Sequence, residues 1–278
     1  MAAVRIDHLL REASITLPTH EARQLLAHAL GMGLADLIRD GAREVDPTAF
    51  RALVRRRLAH EPLQLILGTA GFWDFELEVS ADTLIPRADS ETLIEAALVA
   101  CPQTSGRVVD LGTGTGCLLL AFLRARPGWF GVGVDLLPAA AALATRNARR
   151  VGVADRAGFA AGSWGGALAG GFDLMLCNPP YIPRGDIADL APDVRDWEPM
   201  SALDGGADGL GAYRVILGDL ARLLAPRGAG VLELGVGQAA SVAGIARGVG
   251  LGVEAVRADL GGIERALVVR TNLGVRPG

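Results

Sequence analysis

The residues best suited to chemistry lie in one stretch, Phe172-Asp173-Leu174-Met175-Leu176-Cys177-Asn178-Pro179-Pro180-Tyr181. Its apolar run, Leu174 to Cys177, reads as a strand buried on both faces. Proline cannot donate to a sheet ladder, so pairing stops at Pro179 and the chain must leave the sheet there. The prolines still carry carbonyl acceptors. The turn therefore offers the Asn178 side-chain oxygen, the Pro179 carbonyl and the ring of Tyr181. That set suits a planar –NH2 group, with one acceptor for each hydrogen and a ring for its face. Two prolines after a strand are commonly no more than a loop; asparagine before them and tyrosine after them favour a binding site.

A second stretch supplies a partner for such a site. Val108-Val109-Asp110-Leu111-Gly112-Thr113-Gly114-Thr115-Gly116-Cys117 reads as a strand, a glycine-rich turn and a helix. The glycines permit φ > 0 and close approach of the backbone to a ligand. A dinucleotide fingerprint needs G-x-G-x-x-G, but position 117 is cysteine, so no pyrophosphate need be cradled. Asp110 beside the loop favours a cationic amino group such as that of S-adenosylmethionine. Asp135 ends the next strand-like run, nineteen residues after Gly116, where a carboxylate can take ribose hydroxyls. Trp164 follows the third strand and is placed to cover an adenine ring.

The elements that must position these residues follow from periodicity. Seven strand-like runs, 107–111, 130–135, 158–161, 172–177, 230–234, 252–256 and 266–270, alternate mostly with helical patterns that include 115–126, 138–151 and 210–224. This is the pattern of an α/β Rossmann-like fold, a mostly parallel seven-stranded sheet ending in an antiparallel hairpin. Before it lie a helix over about 89–101 and a period-two segment, Phe75, Leu77 and Val79, with Leu84-Ile85 following, read as a β-hairpin. Residues 1–70 read as a small helical domain. Leu9, Leu10 and Ile15 mark its first helix, Leu25, Leu26 and Leu30 the second, and Asp46-Pro47 opens a third. Arg51, Arg55, Arg56 and Arg57 on the third helix read as a solvated face, the alternative being a docking surface for an acidic or RNA-bound partner. The expected domains are 1–70 helical, 71–88 hairpin linker and 89–278 catalytic.

Composition narrows the chemistry. All 27 Lys+Arg positions are arginine, which excludes a Schiff-base lysine and a P-loop lysine. The four histidines, His8, His20, His28 and His60, all precede the two stretches, so chemistry there must proceed without histidine. Cys101, Cys117 and Cys177 read as reduced core residues of a cytoplasmic protein, with neither a disulfide frame nor a zinc site. No apolar run is long enough to span a membrane, and the opening residues lack a signal-peptide layout. A net charge of −4 argues against a protein built to grip duplex nucleic acid.

Several segments together resemble the release factor glutamine N5-methyltransferases (the PrmC/HemK family) over nearly the full length. They are Glu61-Pro62-Leu63-Gln64-Leu65-Ile66-Leu67-Gly68, Leu84-Ile85-Pro86-Arg87-Ala88-Asp89-Ser90-Glu91, the glycine loop from Asp110, Asn178 to Tyr181, Glu198-Pro199 with Ala202-Leu203-Asp204-Gly205-Gly206, and Leu223-Leu224-Ala225-Pro226 with Leu232-Glu233-Leu234-Gly235. The resemblance implies a class I S-adenosylmethionine-dependent methyltransferase domain behind a helical domain that helps hold the substrate. That substrate would be the glutamine of the Gly-Gly-Gln loop in class I peptide chain release factors, methylated in the cytoplasm by a monomer without a metal. It also implies that Asp110, Gly112, Thr113, Gly114, Thr115, Gly116, Asp135, Trp164 and Asn178 contact the cofactor. Asn178, Pro179, Pro180 and Tyr181 would bind the glutamine amide, with Asn178 and Pro179 the catalytic pair. The family usually has Pro-Glu-Thr-Glu where this chain has Ala88-Asp89-Ser90-Glu91, and glycine where it has Arg227, read as a harmless turn change. Two other readings stand beside it: an adenine N6-methyltransferase of DNA or RNA, whose –NH2 group would fit the same turn, and a non-catalytic cofactor-binding scaffold.

Overall fold

The computed structural model describes residues 2–271; residues 1 and 272–278, at the ends of the expected domains, lie outside the described residues. The chain forms two compact units, Met1–Thr69 with Ala191–Trp197, and Ala70–Leu190 with Glu198–Gly278. No sequence feature assigned 191–197 to the helical unit.

The first unit packs helices Ile6–Ala13, Thr19–Leu30, Leu34–Arg39, Thr48–Leu58 and Leu63–Leu67, with strands β1 (Val4–Arg5) and β2 (Glu44–Val45) pairing antiparallel. Its core is Ile6, Leu9, Leu25, Leu26, Leu37 and Phe50. Ile15, expected with the first helix, is 83 % exposed because that helix ends at Ala13. Asp46 does cap the third expected helix: its Oδ1 accepts the Thr48 N–H at 3.0 Å and the Thr48 hydroxyl at 2.6 Å. Within this unit the arginine face is largely spent on local ion pairs, Arg51 with Glu12, Arg56 with Glu61 and Arg57 with Glu21.

In the second unit, β3 (Thr69–Phe72) and β4 (Phe75–Glu78) pair as a hairpin across Trp73-Asp74. The hairpin thus lies earlier than the sequence pattern placed it. Leu84-Ile85 is not a strand, because the chain has already turned at Trp73, whose φ is 57°. The seven-stranded sheet contains β5 (Ser105–Leu111), β6 (Gly128–Asp135), β7 (Ala157–Ala161), β8 (Phe172–Cys177), β9 (Leu224–Glu233), β10 (Leu251–Ala258) and β11 (Glu264–Thr271). Their order is β10-β11-β9-β8-β5-β6-β7. Strands β9, β8, β5, β6 and β7 run parallel, and β11 pairs antiparallel to both β9 and β10.

Both faces of the sheet's centre are buried, which is why β8 and the later parts of β5 and β9 are mostly apolar rather than alternating. Val108, Leu174, Leu176 and Val231 face helices Glu91–Ala100 and Cys117–Ala125. Val109, Met175, Cys177 and Leu232 face helices Gly211–Leu223 and Ala239–Gly248, the latter unforeseen from its weak Ala/Gly pattern. Among the described residues no helix is long and apolar enough to cross a membrane. Arg227 has φ 69°. That left-handed conformation accounts for glycine being common there; the arginine carries a strain of about 1–2 kcal/mol, so the substitution is not free of cost.

Candidate active site

After β5 the chain builds outward on one side, to β6 and β7, and then returns to lay β8 on the other. Ligands of open α/β sheets bind at such a switch point, beyond the carboxyl ends of the strands. Register makes the consequence concrete. Leu111 pairs with Cys177 on one side and with Val134 on the other, and Cys177 pairs with Leu232. The residues that follow each pair, Glu233, Asn178, Gly112 and Asp135, therefore stand in one row across the strand ends.

The glycine loop turns under this row. Gly112, Gly114 and Gly116 have φ of 74°, 54° and 84°, a left-handed sequence that side chains resist. The Gly112 and Thr113 N–H groups donate to the Val134 carbonyl at 2.8 and 3.0 Å. The Gly114 N–H donates to Asp135 Oδ2 at 2.8 Å, and the Leu137 N–H donates to Oδ1 at 2.9 Å. The carboxylate is thus fixed by the backbone while each oxygen keeps a further acceptor site.

Asp110 is placed differently from what the sequence suggested. It does not line the cleft; it is 1 % exposed and lies beneath the loop. Its Oδ2 accepts the Thr113 hydroxyl at 2.6 Å, while Oδ1 is buried without a partner. Burial pushes its carboxyl up to about 7; the Thr113 hydroxyl opposes the shift and the charge of Asp135 adds to it. Asp110 therefore shapes the loop, and its uncompensated oxygen makes the site receptive to nearby positive charge.

A cleft opens above the loop. Asp135, Leu136, Leu137, Trp164, Thr83, Arg87, Ser90, Asn178 and Pro180 are among the residues that line it. The Trp164 ring edge comes within 3.5 Å of where a Gly112 Cβ would sit. Pro179 is buried, and Tyr181 is half-buried outside the lining.

At the Asn178 end, the Nδ2–H donates to Ser90 Oγ at 3.4 Å. The Ser90 hydroxyl donates to Glu233 Oε2 at 2.5 Å, and the Tyr181 hydroxyl donates to Glu233 Oε1 at 3.2 Å. The Asn178 Oδ1 and the Pro179 carbonyl accept no hydrogen bond among the described residues. Burial raises the Glu233 carboxyl above its ordinary range, against the pull of its two hydroxyl partners. Burial also raises the Tyr181 phenol, helped by the Glu233 charge, so the tyrosine remains a neutral donor.

The following loop is braced by the Asp204 segment. Asp204 accepts from the Gly206 N–H at 2.8 Å and pairs with Arg184 at 2.9 Å, and the Ile182 N–H donates to the Leu203 carbonyl. A Cβ on Gly209 would lie 2.4 Å from the Tyr181 carbonyl, which requires glycine there. The buried Glu198 holds Arg87 at the cleft through an ion pair at 2.8 Å.

Sequence reasoning gave no role to Ser90, Glu233 or Asn147. The fully buried Asn147 accepts the Glu78 N–H and donates to the Glu78 and Thr115 carbonyls, pinning the glycine loop to β4. A usable signal existed for Glu233: a carboxylate ending an apolar parallel strand is placed where such sheets bind ligands.

Sheet order, glycine loop, ribose-ready carboxylate and an asparagine at the switch point define a class I methyltransferase of the S-adenosylmethionine-dependent fold. Residues 88–191 match the family model described as methyltransferase small domain, and residues 4–68 match the PrmC N-terminal domain. The chain is 47 % identical over 264 residues to the release factor glutamine methyltransferase of Rhodospirillum rubrum, covering 94 % of this chain and 81 % of that one. It is 43 % identical over 269 residues to the enzyme of the same name from Bradyrhizobium diazoefficiens, covering 94 % and 91 %. The chain belongs to the release factor glutamine methyltransferase family. A solved methyltransferase from Pyrococcus furiosus shares the fold, with a TM-score of 0.55 and 15 % identity over 80 % of this chain and 97 % of that one.

Proposed function

We propose that this chain methylates the side-chain amide nitrogen, N5, of the glutamine in the Gly-Gly-Gln loop of class I peptide chain release factors. The observation that carries the reading is the open Asn178 Oδ1 in the cleft, one strand from the glycine loop. S-adenosylmethionine, when bound, supplies an electrophilic methyl group on its sulfonium. The residues present fit it: Asp135 takes the ribose hydroxyls, Leu136 and Trp164 flank the adenine, and Gly112 and Gly114 let the loop backbone come close. Asp110 answers the positive charge from beneath.

An amide nitrogen is a poor nucleophile, because its lone pair is delocalised into the carbonyl. Asn178 Oδ1 and the Pro179 carbonyl each accept one of its hydrogens, which fixes its remaining lobe towards the methyl group. Pro180 bounds the amide plane, while Tyr181 stands outside the cleft lining with its hydroxyl on Glu233. Positioning of this kind supplies about 7–11 kcal/mol in favourable intramolecular systems. Acceptors that bind more strongly as the nitrogen gains positive charge stabilise the transition state specifically. Water takes the released proton, so no histidine is needed.

The test is transfer of labelled methyl from S-adenosylmethionine to purified release factor, beside a factor with its loop glutamine replaced and beside DNA and RNA. Label on the intact factor alone is expected; label on nucleic acid would overturn the reading. Asn178→Ala should lower turnover by on the order of 100- to 1000-fold, the loss typical of one preorganised polar group, with cofactor affinity nearly unchanged. Near-normal turnover would remove Asn178 from this role.

A further inference from the structure

A carboxamide is nearly symmetric in shape but not in chemistry. Turned one way, Asn178 presents an acceptor to the cleft; turned the other, it presents two donors that would repel a substrate –NH2 group. Neither rotamer preference nor packing distinguishes the two, so the choice must come from hydrogen bonding.

The neighbours make that choice. Ser90 Oγ has one hydrogen, and that hydrogen is committed to Glu233 Oε2 at 2.5 Å. With its hydrogen so used, Ser90 offers Asn178 only lone pairs, and the Asn178 Nδ2–H donates to them at 3.4 Å. Glu233 is held in turn: its Oε1 accepts the Tyr181 hydroxyl at 3.2 Å, and its backbone carbonyl accepts the Tyr213 hydroxyl at 2.8 Å. At 2 % exposure Glu233 has no water competing for its oxygens, and Ser90 is 3 % exposed. A carboxylate is acceptor-only, so it dictates the direction of every hydrogen in the chain from Tyr181 and Ser90 to Asn178.

We propose that Ser90 and Glu233 are positioning residues that set the orientation of the Asn178 carboxamide, so that its oxygen faces the substrate amide. This inference rests on the role given to Asn178 under Proposed function. Both act through Asn178. The chain Glu233–Ser90–Asn178 thereby makes the site selective for a glutamine amide over a glutamate carboxylate at the same position. It also assigns a reason for the hydroxyl at position 90 in the Ala88-Asp89-Ser90-Glu91 segment.

The experiment compares wild type, Ser90→Ala, Ser90→Thr and Glu233→Gln as full-length proteins. Each is assayed for cofactor affinity, for kcat and KM on release factor, and for binding of release factor whose loop glutamine is replaced by glutamate. In Glu233→Gln the new amide can donate to Ser90, which frees the Ser90 hydrogen to hold Asn178 Oδ1 and turns Nδ2 into the cleft. Ser90→Ala and Glu233→Gln should each lower kcat by on the order of 100-fold, the cost of a misplaced catalytic group, with cofactor affinity retained. Ser90→Thr should restore most of the rate. Glu233→Gln should also narrow the preference for the glutamine over the glutamate factor about tenfold, the equivalent of roughly one hydrogen bond. Full activity in Ser90→Ala and Glu233→Gln, or an equal loss of binding for both factors, overturns the inference. Loss of cofactor affinity in Ser90→Thr would reduce the network to a structural role and overturn it as well. Wild-type protein that methylates no release factor removes the underlying reading instead, and the inference with it.

Discussion

Truncating Asp135 to alanine isolates the cleft's hold on a ribose from its hold on the rest of a cofactor. The carboxylate ends β6, with Oδ2 on the Gly114 N–H at 2.8 Å and Oδ1 on the Leu137 N–H at 2.9 Å. A carboxylate has about four lone-pair sites, so two remain, one on each oxygen, for two ribose hydroxyls. Hydrogen bonds to a charged group contribute about 1.5–3 kcal/mol each, which makes the pair about 3–6 kcal/mol. At 1.4 kcal/mol per tenfold, Asp135→Ala should raise the Kd for S-adenosylmethionine by about 10²- to 10⁴-fold. The assay is isothermal titration with S-adenosylmethionine and S-adenosylhomocysteine, repeated with an analogue lacking both ribose hydroxyls. If Asp135 acts through those hydroxyls, the substitution and the analogue remove the same interactions, and the double change costs little more than either alone. Additive losses would place the ribose elsewhere. A Kd within threefold of wild type would refute the assignment outright.

Two further outcomes follow from the same geometry. Asn147→Ala removes three hydrogen bonds and leaves the Glu78 N–H and the Glu78 and Thr115 carbonyls without their partner. A loss of about 2–4 kcal/mol, from unsatisfied buried groups, should appear as a lower denaturant midpoint; an unchanged midpoint would show that water replaces Asn147. For Asp110, held near 7 by burial and so raised above its unfolded value, the fold favours the protonated form. Its contribution to stability is fully present below the unfolded carboxylate value and is lost as pH rises to about 7. A cationic cofactor favours the ionised form, so affinity should strengthen by up to tenfold per pH unit on approaching pH 7. Asp110→Asn should flatten that slope. An unchanged slope in Asp110→Asn would disconnect this carboxyl from binding.

What the sequence revealed tracks the range of the interactions involved. The doubly buried strands were legible because burial on both faces leaves unbroken apolar runs, as in Leu174 to Cys177. The glycine loop was legible because its left-handed backbone admits few other residues. The hairpin was misplaced because Leu84 and Ile85 look like a strand locally, whereas the turn had already been made at Trp73-Asp74. Asp110 was read as a cleft residue from proximity in sequence, but its strand carries it under the loop. Ser90 and Glu233 are 143 residues apart and touch only through the sheet, so no local pattern joins them. Asn147 is similar: a polar residue inside a helical pattern looks solvated until β4 and the glycine loop are laid against it.

The order of strands also explains how the chemistry divides within the site. Glu233, Asn178, Gly112 and Asp135 follow the paired positions on β9, β8, β5 and β6, spaced at about 4.8 Å per strand. The β5–β6 side presents backbone and a carboxylate, groups that suit a ribose and leave space for a large ligand. The β8–β9 side presents an acceptor whose direction a buried carboxylate sets. In the proposed reaction a methyl group would cross only the gap between neighbouring strands, β5 and β8, which is the switch point itself. Moving either function one strand further out would leave the donor and the amide too far apart for direct transfer. The site's demand on the fold is therefore adjacency of β5 and β8, with Glu233 on the next strand to orient what β8 presents.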